Sequence, residues 1–328
     1  MSLVLNLLDL MLMRWINSGM SERGSGRRAV GVMVAGGLAA VLILSGCGEG
    51  AGSRKESSAQ TSPPPAAVQA PAPQESAAQG EWTEERVHQA IKDHNPAYNG
   101  QAGIRLESGQ VVALQLSGTG ATNLAGLRNM RLLALDLRQT MARDLSPLRG
   151  MPLQELYLEE SPVEDLGPLE GMKLYKLYLS QTAVRDLRPL RGMPLVELNL
   201  LGTAVTDLSP LSTMPLEMLW LNETAVADIA PLRTCPLVSL TLHRTQVSDL
   251  SPLAGTALQR LHIGETPVHD LTPLRGLRLS RLVFTPHRIT EGLDVAREMT
   301  SLREMGPTLE SVMPPAQFWR LHAEGAFD

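Results

Sequence analysis

Cysteine is almost absent from these 328 residues: Cys47 and Cys235 are the only two. Neither belongs to a Cys-x-x-Cys pair or to a Cys/His cluster at zinc-ligand spacing, so a disulfide scaffold and a structural zinc site are excluded. Aromatic residues are also scarce, with four Trp, four Tyr and three Phe, and a core of any size must therefore be aliphatic. Positive charge is not in excess. Lys and Arg number 29 against 34 Asp and Glu, a net charge of -5, whereas non-specific nucleic-acid affinity rests on clustered Lys and Arg; no nucleic-acid partner is expected. No nucleophile with a base, paired carboxylates or metal cluster occurs at usable spacing, and the kinase signatures Val-Ala-Ile-Lys, His-Arg-Asp and Asp-Phe-Gly are missing. The expectation is a chain that is not an enzyme and carries no cofactor. What it does have is punctuation, with 23 Pro and 28 Gly, so it turns far more often than a helical bundle.

The amino terminus reads as an address. Arg23, Arg27 and Arg28 precede an apolar run from Ala29 to Leu44 that ends in Leu44-Ser45-Gly46-Cys47, the order of parts of an export signal. The segment resembles a bacterial lipoprotein signal. That resemblance implies that Leu-Ser-Gly is a lipobox, that Cys47 is acylated, and that Cys47 opens a mature chain anchored to a membrane of the cell envelope. The alternative is an uncleaved anchor helix, since roughly 16 to 18 apolar residues stand at the lower edge of what spans a bilayer. Residues 1–47 are thus assigned to the signal, with Met20-Ser21-Glu22-Arg23 as the expected true start. Residues 48–81, rich in Ala, Ser, Gln, Gly and Pro and including Pro63-Pro64-Pro65, are expected to form a flexible tether, because they cannot bury enough apolar surface to offset ordering.

Beyond the tether one phrase recurs. Asp144, Asp165, Asp186, Asp207, Asp228, Asp249 and Asp270 follow one another at 21 residues, and Pro147 to Pro273 keep the same step. The unit reads L-x-x-L-x-L-x-x-T-x-V-x-D-L-x-P-L-x-G-M-P, as in Leu153, Leu156, Leu158, Ser161, Val163, Asp165, Pro168 and Gly171. A worn copy with Leu114 and Leu116 precedes, and a failing one with Leu279, Leu282 and Phe284 follows, for about nine turns. Over residues 111–290 the chain resembles the short leucine-rich repeats of the SDS22 and internalin type. The resemblance implies an α/β leucine-rich-repeat solenoid, with a curved parallel sheet on the concave side and short 3-10 turns on the convex side. Where that family carries Asn this chain has Ser161, Thr182, Thr203, Thr224, Thr245 and Thr266. A hydroxyl has one donor where an amide has two, so a thinner side-chain hydrogen-bond ladder is expected. A single copy cannot cover its own leucines, and stability must come from stacking nine parallel strands.

Each aspartate is read as accepting backbone N–H groups at the start of a short helical turn, with proline tolerated early in that turn. A cation ladder along the aspartates is disfavoured because no second acidic column accompanies them. Cys235 shares the column of Met151, Met172, Met193 and Met214 and is read as a buried filler. The stack needs ends. Residues 82–110 supply an N-terminal cap, with a helix from Thr83 through His94 and a hairpin around Glu107-Ser108-Gly109-Gln110. Residues 291–328 supply a C-terminal cap, with a helix from Glu291 to about Leu302, capped by Thr290, and a short one starting at Pro314-Pro315.

Alternation along each strand sends the leucines inward and the residues between them to the concave face. Tyr157, Tyr178, Asn199, Trp220 and His262 fall in one column, with Tyr175, Leu201 and Met218 beside it. All are expected in water as partner-binding residues, because exposed aromatics are preferred interface anchors, although β-propensity alone would also place aromatics there. Acids (Asp136, Glu155, Glu159, Glu197) crowd the first half and Arg260, His262 and Arg281 the second. His243 and His262 lack a third metal ligand. The chain is therefore expected to be a monomeric, non-catalytic, membrane-tethered module for a protein or peptide partner. The alternative is a passive structural or adhesion lipoprotein of the envelope. Replacing Tyr157, Tyr178 and Trp220 by Ala is expected to leave the melting temperature nearly unchanged.

Overall fold

Each L-x-L pair forms one short strand, and the strands lie side by side in chain order. The computed structural model describes residues 81–327; the signal segment, Met20, Cys47 and residues 48–80 of the tether lie outside the described residues. β1 (Gly103–Glu107) and β2 (Gln110–Gln115) make the expected antiparallel hairpin. From β2 the sheet runs parallel through β3 (Ala134–Asp136), β4 (Glu155–Tyr157), β5 (Lys176–Tyr178), β6 (Glu197–Asn199) and β7 (Met218–Trp220). It continues through β8 (Ser239–Thr241), β9 (Arg260–Ile263), β10 (Arg281–Phe284) and β11 (Glu304–Gly306), giving eleven strands in strict sequential order.

The last strand corrects the expected C-terminal cap. Its helix spans only Leu293–Glu298, after a left-handed Gly292 (φ 76°) rather than a Thr290 cap. The chain then adds β11 parallel to β10, with Met305 opposite Leu282. Leu302 and Met305 fill the columns of Leu279 and Leu282 after a step of 23 residues instead of 21, so one more layer is present than the repeat count suggests. At the other end α1 (Glu84–Lys92) starts at Thr83, whose hydroxyl accepts from the Arg86 N–H at 3.2 Å. It lays Val87 and Ile91 on the first layer. Among the described residues no helix is long and apolar enough to cross a membrane.

The interior is a stack of leucines, with Leu156, Leu158, Leu177, Leu179, Leu198 and Leu200 all fully buried. Identical layers fit one another without bulky residues, and the scarce aromatics gather where the repeat stops: Trp82 and Tyr98 in the first cap, Phe284, Phe318, Trp319 and Phe327 in the last. Phe318, on the helix Pro315–Ala323, stacks on Phe327 at 4.9 Å and lies 5.5 Å from Phe284. Cys235 is buried among its methionine neighbours' column, and burial pushes its thiol pKa up.

On the convex side all seven aspartates accept the backbone N–H two residues on, at 2.7 to 2.9 Å. Where that residue is Ser or Thr, its hydroxyl takes the other carboxylate oxygen. These bonds hold the Asp144, Asp207 and Asp249 carboxyls below the usual range. Glycine decides the next turn. Gly150, Gly171 and Gly192 adopt φ of 73 to 75° after residues with ψ of 124 to 131°, the geometry of a type II turn. Where Thr213 replaces the glycine, Ser212 instead takes ψ −17°, because a β-branched residue does not enter the left-handed region cheaply.

The threonine column behaves as the donor arithmetic suggests. Each hydroxyl donates to the carbonyl three residues earlier in its own repeat, as in Thr182 to Leu179 and Thr203 to Leu200, both at 2.7 Å. Layers are joined by backbone bonds such as Leu158 N–H to the Tyr178 carbonyl at 2.9 Å and Leu179 N–H to the Asn199 carbonyl at 2.8 Å.

Candidate functional site

Strand register brings Tyr157, Tyr178, Asn199, Trp220, Thr241 and His262 into one row across β4 to β9. Tyr157 meets Tyr178 edge to face at 5.2 Å and 81°, and Tyr178 reaches across Asn199 to Trp220 at 5.9 Å and 65°, the arrangement aromatic quadrupoles favour. Tyr175, Tyr178, Asn199, Leu201, Met218 and Trp220 are half-buried. Tyr157 and His262 are not the exposed residues the alternation suggested: only 5% and 6% of their surface is accessible. Asp136, Glu155, Lys176 and Glu197 are buried as well. Alternation assigns a side chain to a face but says nothing of its depth there. On a concave face neighbouring strands press their side chains together, and long ones lie down on each other.

What they cover is a charged network. Lys176 Nζ sits 3.9 Å from Glu155 Oε1 and 3.5 Å from Glu197 Oε1. Glu155 also accepts the Tyr157 hydroxyl at 2.7 Å and the Tyr175 hydroxyl, while Glu197 accepts the Tyr178 hydroxyl at 2.6 Å. Two carboxylates therefore share one ammonium, and three phenols supply the remaining donors, as buried charge requires. Burial, and after it the neighbouring glutamates, push the phenol pKa values of Tyr157 and Tyr178 far up, so both stay donors. Beside them Arg138 grips Asp136 with Nε to Oδ1 at 3.0 Å and Nη2 to Oδ2 at 2.6 Å, and its guanidinium lies 5.9 Å from the Tyr157 ring centre. Glu159 is different. Its Oε2 is buried without a hydrogen-bond partner, and burial pushes its carboxyl up to about 7. The network had a signal in the sequence, because Glu155, Lys176 and Glu197 alternate in sign down one column.

In the second half of the face the His243 and His262 rings stack at 4.9 Å and 23°. Stacked rings do not converge on a metal, and His243 Nδ1 bonds the Gly264 carbonyl at 3.0 Å. The missing side chain of Gly264 makes room: a Cβ there would stand 2.9 Å from His262 Nε2. Burial, then His243, lowers the His262 pKa to about 4, so its ring is neutral at pH 7. Neither of its nitrogens has a partner, nor does Thr241 Oγ1. Arg281 pairs with Glu304. The loop Thr308–Val312 folds over Gly306, placing the Ser311 carbonyl oxygen 2.7 Å from where a Cβ would be, and Val283 beneath this end of the face is fully buried.

No family model matches the chain, and no curated protein matches it. Among solved structures it is similar to an internalin (inlF) of Listeria monocytogenes, at 25% identity and a TM-score of 0.52 over 67% of this chain and 74% of that one. It is also similar to internalin C2 of the same organism, at 26% identity and a TM-score of 0.51 over 61% of this chain and 92% of that one.

Proposed function

We propose that this leucine-rich-repeat solenoid is a non-catalytic module that binds a protein or peptide partner on its concave face, and that a lipid on Cys47 holds it to a membrane of the bacterial envelope. The observation that carries the first part is the patch of Tyr178, Leu201, Met218 and Trp220, half-buried at the centre of the sheet. Its tyrosine is already fixed by a bond to Glu197, and rigid aromatic anchors lose little freedom on binding. Similarity to the two internalins supports the scaffold, and the basic, apolar and Leu-Ser-Gly-Cys order of residues 23–47 supports the tether.

Burial of Tyr157 changes which residues test the face, since its loss would open the charged network. Trp220→Ala combined with Leu201→Ala and Met218→Ala removes three of the four patch side chains and leaves Tyr178, Glu155, Lys176 and Glu197 in place. Cross-linking in intact cells is expected to yield one stoichiometric partner, with the adduct reduced at least tenfold in the triple variant and the melting temperature shifted by only a few degrees. An undiminished adduct refutes the docking face. Cys47→Ser is expected to abolish incorporation of labelled palmitate and move the protein to the soluble fraction; retention in the membrane fraction would leave the uncleaved anchor in its place.

A further inference from the structure

Buried polar atoms without partners are rare in folded proteins, and those at a candidate binding face call for an explanation. Apart from Glu159 Oε2, those found among the described residues sit together at Thr241 and His262. Thr241 and His262 are register partners on β8 and β9, and Ser239 and Arg260 are the next such pair along the same strands. Neighbouring strands are about 4.8 Å apart and alternate residues about 6.6 Å apart, so these four side chains frame a patch the size of a carboxylate. His262 is more than nine-tenths buried with both nitrogens unpartnered, and Thr241 Oγ1 is unpartnered beside it. The Arg260 guanidinium makes no ion pair or hydrogen bond among the described residues, whereas the other arginines nearby are neutralised: Arg281 by Glu304 and Arg244 by Glu265. One imidazole N–H and the Thr241 hydroxyl are donors in need of an acceptor, and the second ring nitrogen gains a proton beside a negative charge; with the unpaired Arg260 cation they suit an anion.

We propose that Ser239, Thr241, Arg260 and His262 form a subsite that receives the carboxylate side chain of an acidic residue on a protein partner. This rests on the reading of the concave face as a docking surface and adds a polarity to it. The partner's acid lies at the second half of the face, where Arg260 has no carboxylate of its own, whereas Asp136, Glu155 and Glu197 of the first half are already held by Arg138 and Lys176. The charged and titratable groups around the imidazole are His243 stacked on it, Arg260 on its own strand, Glu265 and Glu304 already paired, Arg281, and Glu310 on the cap loop. Glu310 is exposed and is the anion that competes for this place.

The probe is acetyl-hexaaspartyl amide, which has no terminal carboxylate and whose side chains stay ionised above pH 5. It is titrated into the 328-residue chain by calorimetry and by NMR of the labelled His262 ring. Binding is expected to perturb the His262 signals and to tighten at least threefold from pH 7.5 to 5.5, because a carboxylate favours the imidazolium. Arg260→Gln is expected to weaken it at least fivefold, Glu310→Gln to strengthen it, and His262→Gln to remove the pH gain. Arg233→Gln, on the convex turn Ala230–Thr234, leaves it unchanged. Binding that ignores Arg260→Gln, or that leaves the His262 ring unperturbed, overturns the subsite, as does equal binding of acetyl-hexaglutamine with a free carboxylate, which would make a chain terminus the ligand. Arg260 is solvent-accessible, so its variant tests the site without disturbing the buried ring. The two readings fail separately. A cellular adduct that survives loss of Trp220, Leu201 and Met218 sinks the docking face while hexaaspartate binding can persist; hexaaspartate binding that is blind to Arg260 sinks the subsite alone.

Discussion

Lys176→Met is expected to destabilise the protein by about 3 to 5 kcal/mol, the cost of leaving a buried charge without its partner. The Lys176 side chain is 6% exposed between Glu155 at 4% and Glu197 at 11%. Its loss strands two carboxylates on strands on either side of β5, with only phenol hydroxyls to answer them. Urea unfolding reads the effect as a lowered midpoint at an unchanged slope. The triple replacement Glu155→Gln, Lys176→Met, Glu197→Gln is expected to recover most of the loss. Glutamine carbonyls still accept from Tyr157, Tyr175 and Tyr178, and a neutral trio has no charge to desolvate. A single variant less than 1 kcal/mol below the parent, or a triple variant no better than the single, means that water reaches the ammonium.

The second large effect is a pH dependence hidden in the parent protein. Glu159 has a folded pKa of about 7 against an ordinary 4.5, so the fold favours its protonated form; its contribution is full below pH 4.5 and is lost as pH rises towards 7. His262 has a folded pKa of about 4 against an ordinary 6.5, so the fold favours the neutral ring; its contribution is full above pH 6.5 and is lost as pH falls towards 4. Between pH 4.5 and 6.5 each group alone changes stability by about 1.4 kcal/mol per pH unit, with opposite signs. The parent is therefore expected to be nearly flat in that window. The lowered carboxyls of Asp144, Asp186, Asp207 and Asp249 act below it. Glu159→Gln is expected to gain about 2 to 3 kcal/mol of stability as pH rises from 4.5 to 6.5, and His262→Gln to lose about as much. Urea midpoints at four pH values decide it. Variants that track the parent would show that neither group is desolvated as its surroundings imply.

Legibility followed periodicity. The 21-residue step assigns every strand from β3 to β10, every aspartate-led turn and the inward leucines, because one repeat constrains all of its copies. β11 escaped because Met305 stands 23 residues after Leu282, and a short helix occupies the place of the usual turn. On the concave face the row from Tyr157 to His262 was readable, since side-chain direction has a period of two. Burial was not, because it depends on how closely neighbouring strands press together and on which long side chain finds a partner across them. Tyr157 lies down towards Glu155 and His262 lies against Gly264. The unpartnered nitrogens of His262 leave no trace in a sequence at all.

Strand order that equals chain order gives the protein a mechanical character. No strand crosses over another, and each layer is tied by hydrogen bonds only to the one before and the one after. A pull on either terminus thus loads a single seam at a time, as in a zipper, and each released layer pays out a fixed length of chain before the next takes the strain. An array of this kind yields in steps from the loaded end, while the layers far from it stay stacked.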